Sequence, residues 1–405
     1  MRGTLLLVAS LLLLARQALA DDWPNWRGPH HNGISSEKNW VAKWPADGPP
    51  LLWKKSVGLG FSSITVSQGR AYTMGNKDDV DTVFCFDAEN GNVLWKKSYP
   101  CPINPLYYEG GPSATPTVDG NFVYTLSKKG NLYCFAADSG NIVWSKDIAA
   151  ELGLEVPTWG FSSSALIEGD ELLLNVGFQG TAFDKSTGKV LWTTGRQASG
   201  YSTPLPCSFD GKSAIAVLTG NGAAGVDAAT GKNLWQYPWK SGYNLNIADP
   251  VIDGNDVFVS SAYAKLAAVL QIQGRTPQVV WRGASLCNQI NSCVLFNGFL
   301  YGVDGMAGPT ANASLKCVDW KTGAVKWTFR DLGGGALLGV EPDMIIAISD
   351  KGELFTAAAS PQGFNPISRA QVLGGRCWTV PTLANSRLYC RNARGDLVCL
   401  DVKPH

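Results

Sequence analysis

Six loop residues stand out for the chemistry their side chains can do. Trp159, at the end of Pro157-Thr-Trp159, and Trp378, two residues after Arg376, offer flat π faces for stacking. Arg196 and Arg376 offer guanidinium forks for carboxylates or carbonyl oxygens, and Asn246 an amide for orientation. Asp249, in Ala248-Asp-Pro250, is a carboxylate that can ligate a cation, act as a general base or hold a turn. Tyr107, Tyr108, Glu109, Tyr201, Trp239, Tyr243, Asn244, Asn288 and Gln289 lie in comparable stretches. Gathered at one mouth, such residues bind a planar or peptide-like partner. Left apart, they only cap the packing beneath them, with arginine lying over an aromatic ring.

Other chemistry is excluded by composition. The only histidines are His30, His31 and His405, all in terminal segments. That removes a Ser-His-Asp triad and a three-histidine zinc site. There is no phosphate-cradling glycine loop and no CxxC spacing, so neither a catalytic residue nor a metal-ligand set is nominated. A net charge of +1 gives no electrostatic draw toward nucleic acid. Of the ten cysteines, Cys85, Cys134, Cys317 and Cys399 recur in one repeated slot, as small buried apolar residues do. Cys390 and Cys399 flank a short hairpin and form the best-placed pair for a disulfide.

The elements that must position these residues are written in a repeat. A tryptophan returns every 42 to 49 residues, at Trp53, Trp95, Trp144, Trp192, Trp235, Trp281 and Trp327. Most copies follow a small turn, as in Asp184-Lys-Ser-Thr-Gly188-Lys-Val-Leu-Trp192 and Asp227-Ala-Ala-Thr-Gly231-Lys-Asn-Leu-Trp235. Between them run short segments of alternating β-branched and aromatic residues punctuated by Asp-Gly or Asn-Gly, which are hairpin signals. A period of this length with turn chemistry inside it marks a ring of small sheets. The expected fold is all-β: an eight-bladed β-propeller of four-stranded antiparallel blades. The turns of the fifth and seventh blades, Gly274–Pro277 and Ser360–Gly363, are degenerate. The last stretch holds only three strands, and Leu51–Lys55 is a tryptophan strand with no blade before it. The N-terminal strand is therefore expected to complete the last blade and close the ring. Residues 1–20, a leucine-rich run ending Ala18-Leu-Ala20, read as a signal peptide cleaved after Ala20. Residues 21–50 read as an N-terminal extension and residues 51–403 as a single propeller. The mature chain is expected in the periplasm or secreted, with no transmembrane segment.

The repeat Asp-x-x-Thr-Gly-Lys-x-x-Trp resembles the pyrroloquinoline quinone (PQQ) repeat of the quinoprotein alcohol dehydrogenase-like superfamily. Trp23-Pro-Asn-Trp-Arg-Gly-Pro29, Trp159-Gly-Phe-Ser-Ser163 and Gly200-Tyr-Ser-Thr-Pro204 look like the PQQ-binding-like propellers of planctomycete and verrucomicrobial bacteria. The resemblance implies eight blades with tryptophans docked between them. It also implies two kinds of function, since the family holds quinoprotein dehydrogenases and a non-enzymatic outer-membrane assembly factor. The dehydrogenases share an adjacent cysteine pair and a calcium site, and this chain has no adjacent cysteines. The leading expectation is an exported binding or scaffold module of the cell envelope without catalysis and with no firm cofactor, its partner a protein or small molecule at the loop-rich face. The alternative is a small quinoprotein oxidoreductase using PQQ with calcium. There Trp159 or Trp378 would stack on the quinone, Arg376 or Arg196 would hold its carboxylates, and Asp249 would be metal ligand or general base, with Asn246 beside them.

Overall fold

The computed structural model describes residues 22–308 and 312–404; the signal-peptide reading of residues 1–20 and His405 lie outside them. The described chain forms eight sheets arranged as an eight-bladed β-propeller. Blade 1 is typical: strands Thr65–Ser67, Arg70–Lys77, Val80–Asp87 and Val93–Pro100 pair antiparallel in sequence order from the axis outward. The first strands of the following blades begin at Thr117, Leu166, Leu205, Val251, Val294, Ala336 and Thr382. Leu51–Ser56 pairs with Asp396–Asp401 as the outer strand of blade 8, joining the two ends of the chain as expected.

The turn and the tryptophan form one joint between neighbouring blades. The Trp95 indole N–H donates to Ala137 O of the next blade at 2.9 Å, Trp192 to Ala228 O at 2.7 Å, and Trp281 to Trp320 O at 2.7 Å. Each acceptor lies three residues before the turn glycine of that next blade, and the glycine itself faces the indole. A Cβ added at Gly140 would stand 2.6 Å from the Trp95 ring, and one at Gly231 2.5 Å from the Trp192 ring. Both glycines have φ near +70°, so conformation and space demand the same residue. The preceding aspartate organises the turn: Asp184 Oδ1 accepts from Ser186 N, Thr187 N and the Thr187 hydroxyl. Trp235 is the exception. It faces the blade whose turn is degenerate and lies instead over Gly225 of its own blade. The other degenerate turn still supplies Ser360 O to the Trp327 indole at 2.7 Å.

The N-terminal extension is built into the ring, which the sequence reading did not foresee. Trp23 bridges Val66 of blade 1, and Pro24 O accepts Val118 N of blade 2. Arg27 is buried, donating to His31 O, Asn32 O and, in blade 6, Cys293 O. Ile34–Ser35 adds a fifth, parallel strand to the inner edge of blade 7. Blade 7 has Ser368 where other blades carry the tryptophan, and its hydroxyl accepts Trp44 N. The buried Trp44 side chain joins the apolar cluster that spans blades 7, 8 and 1. At the same closure, fully buried Arg391 donates to Ser62 O, Met74 O and Gly58 O.

The Cys390–Cys399 disulfide is not present: all ten cysteines are free thiols. The register explains it. Cys390 stands opposite Val398, and Cys399 opposite Tyr389. A one-residue offset puts the two side chains on opposite faces of the sheet. Burial pushes both thiols up, Cys399 to about 12.

Candidate functional site

Just before each inner strand, the loop from the preceding blade turns toward the axis. In six consecutive blades one residue there accepts a backbone N–H from the blade before, or donates its own. Ser63 N donates to Thr115 Oγ1, Thr115 N to Ser164 Oγ, and Ser164 N to Thr203 Oγ1, at 2.9–3.1 Å. Thr203 N then donates to Asp249 Oδ1 at 2.7 Å, and Asp249 N to Ser292 Oγ at 2.8 Å. Asp249 thus occupies a slot that is otherwise serine or threonine. A hydroxyl would suffice to carry this belt, so the carboxylate adds a charge that the joint does not need.

Above the belt lies a cavity of about 770 Å³. Residues leading into blades 1, 2, 3, 4, 5, 6 and 8 line it, so it sits on the propeller axis. Nine of its lining residues are aromatic: Trp26, Phe61, Tyr107, Tyr108, Trp159, Tyr201, Tyr243, Tyr263 and Trp378. Phe61 stacks on Trp378 with centroids 5.5 Å apart, and Trp159 meets Tyr201 edge-on at 6.2 Å. Tyr107 and Tyr243 stand at the rim, 89% and 81% exposed. The floor is Trp26 of the N-terminal extension, whose indole N–H donates to Asp249 Oδ2 at 2.6 Å. Beneath it only about 10 Å³ remains, between Trp23, Arg27, Ser63 and Val294. The channel is therefore blind on the extension side.

The six sequence candidates separate into distinct places. Trp159, Asp249 and Trp378 line the cavity. Arg376 stands behind the wall, its guanidinium 4.4 Å from the Trp378 ring centre and bonded to Glu109 at 2.6 Å. Arg196 is exposed and away from the lining; its carbonyl accepts Glu155 N. Asn246 is fully buried and holds the fold: its side-chain amide donates to Thr219 O and Trp239 O, and its backbone carbonyl accepts Tyr201 N. Sequence reasoning missed Trp26, Phe61, Tyr263 and the belt. The belt had a signal, since a serine or threonine recurs at Ser63, Thr115, Ser164, Thr203 and Ser292 with the blade period.

The electrostatics are one-sided. Burial raises the Asp249 pKa, against the opposing pull of Arg27 and the N–H donors around it. Arg27 spends its hydrogen bonds on carbonyls and acts on Asp249 through space. Among the described residues no lysine, arginine or histidine lines the cavity. Among the described residues no group of three or more His, Cys, Asp or Glu side chains could hold a metal ion. The cofactor that the fold suggests, PQQ, is a planar tricarboxylate. The aromatic walls suit its rings, but its carboxylates would meet Asp249 and no cation, so the lining does not fit it.

Fold and cavity together define a repeat propeller with a plugged axis and an aromatic, loop-side pocket. The profile of the family described as "Outer membrane protein assembly factor BamB" matches residues 80–329, and the chain belongs to this family of PQQ-like propellers. It is 26% identical over 337 residues to a tetrathionate hydrolase of Acidithiobacillus ferrooxidans, covering 78% of this chain and 58% of the relative. The chain thus spans little more than half the length of that relative. Among solved structures it is similar to BamB from Moraxella catarrhalis, with a TM-score of 0.64 at 16% identity over 87% of this chain and 100% of the other. It is also similar to the quinohemoprotein alcohol dehydrogenase of Comamonas testosteroni, with a TM-score of 0.67 at 14% identity over 95% and 82%. At these identities the structures share the fold alone.

Proposed function

We propose that the protein is an exported binding module of the cell envelope, acting through its axial aromatic cavity and without chemistry of its own. The observation that carries this reading is a blind cavity of about 770 Å³, of the size and apolar character of ligand pockets, lined among the described residues by a single carboxylate and no cation. The family described as an outer-membrane assembly factor supports an envelope location. No helix among the described residues is long and apolar enough to cross a membrane. Recovery of a chain beginning at Asp21 from an envelope fraction, by mass, tests the export.

The binding itself is tested with Nile red, a neutral apolar dye whose emission rises on burial. The expected result is saturable one-site binding, lost when Trp159 and Trp378 are both replaced by alanine while the melting curve is retained. Binding that ignores those substitutions, or none at all, overturns the reading.

A second reading, a PQQ-dependent oxidoreductase, has the same two indoles to offer but would have to set the cofactor's carboxylates against Asp249. Stoichiometric uptake of pyrroloquinoline quinone with calcium, followed by alcohol-dependent dye reduction, would establish it over the binding module. Tetrathionate, in the name of the relative, is a dianion and likewise finds no cation in the lining.

A further inference from the structure

Asp249 is a buried carboxylate, 6% exposed, held only by neutral donors, Thr203 N at 2.7 Å and the Trp26 indole at 2.6 Å. Among the described residues Asp249 forms no salt bridge within 4.0 Å; the nearby Arg27 acts on it through space while its hydrogen bonds go to three backbone carbonyls. A buried charge without a paired counter-charge is costly, and a ligand that supplied the opposite charge would offset that cost. An anionic ligand would increase it.

The rest of the lining says how such a ligand is held. Several of the polar side chains that could read hydroxyl groups are already engaged in the fold. Gln289 accepts Ala307 N and donates to the Tyr263 hydroxyl. The Asn291 amide donates to Gly335 O and Trp378 O. The belt hydroxyls of Ser164, Thr203 and Ser292 each accept a backbone N–H. Ring faces dominate what remains on offer, with tyrosine hydroxyls and a single carboxylate among them. Ring faces attract a cation through their quadrupoles without fixing its orientation, whereas a sugar needs several free directional partners.

We propose that the cavity takes an organic cation: an amine or quaternary ammonium head, carried on an apolar or aromatic body, with the head at Asp249 and the body along the aromatic wall. This rests on the cavity being a ligand site, and it adds the charge of the ligand.

Three probes of one size decide it by calorimetry on the purified protein. They are benzyltrimethylammonium, its neutral isostere neopentylbenzene, and benzenesulfonate. The ammonium probe is expected to saturate one site, with the neutral isostere weaker by ~10-fold or more and the sulfonate not binding. Asp249→Asn is expected to weaken the ammonium ~10-fold and leave the isostere unchanged, whereas Trp159→Ala weakens both. Should Asp249→Asn fail to fold, the comparison of probes on the unaltered chain still gives the answer. Equal or tighter binding of the isostere or the sulfonate overturns the cation proposal while the cavity remains a site. Absence of binding by all three, with Nile red still bound, overturns the proposal alone. Loss of Nile red binding as well overturns both readings.

Discussion

At the scale of single residues, the axis is where this protein departs from plain propeller construction. A belt of serine and threonine is interrupted once, by Asp249, and the segment below it carries Arg27 and His31. Burial, then the nearby Arg27, lowers the His31 pKa from 6.5 to about 4. Between those two values the unfolded chain binds a proton that the folded chain does not. Stability contributed by the neutral imidazole is therefore whole above pH 6.5 and falls as the pH drops toward 4. The thermal midpoint is expected to decline through that window, and His31→Asn to flatten part of the decline. Superimposable midpoint-against-pH curves for the two proteins would remove His31 from the account. The candidate site was only half legible at this scale. Trp159 and Trp378 announced themselves as aromatics in long loops, and they do face the cavity. Arg196 and Asn246 looked equally suitable, yet nothing in a loop sequence tells whether a side chain turns outward or pins a neighbouring loop.

At the scale of elements, the joint of turn glycine on indole explains why the repeat spells what it does. It also separates two effects at glycine. Gly140 and Gly120 both have positive φ, but a Cβ at Gly140 meets the Trp95 ring while one at Gly120 meets nothing within 4 Å. Gly120→Ala is expected to cost about 1 kcal/mol, the backbone term alone. Gly140→Ala should cost about 3 kcal/mol or more, adding overpacking to strain. Urea denaturation of the two variants checks the gap, and equal costs would mean that the indole yields without penalty. This joint was legible because turn chemistry and a bulky ring recur at fixed spacing. The thiol pairing was misread because a hairpin loop does not reveal register, and a shift of one residue reverses every face.

At the scale of the whole molecule, eight sheets and their closure followed from the period and from two incomplete ends. The path of residues 22–50 did not, since it has no period and is held by hydrogen bonds that form only in three dimensions: the Trp26 indole to Asp249, Ser386 N to Glu37, Trp44 N to Ser368. The closing joint has the same parts as the internal ones, for the Trp53 indole donates to Ala88 O at 3.2 Å and packs against Gly91. Trp53→Ala and Trp95→Ala are therefore expected to cost alike, about 3–5 kcal/mol each. A markedly smaller loss at Trp53, measured by denaturant titration, would show a seam weaker than the other joints. That shared seam has a temporal consequence. Leu51–Ser56 emerges from synthesis hundreds of residues before its partner Asp396–Asp401, so every incomplete product carries an exposed indole strand. Until Asp396–Asp401 is in place the Trp53 strand has no sheet to join, so the ring can shut only after the last blade has formed.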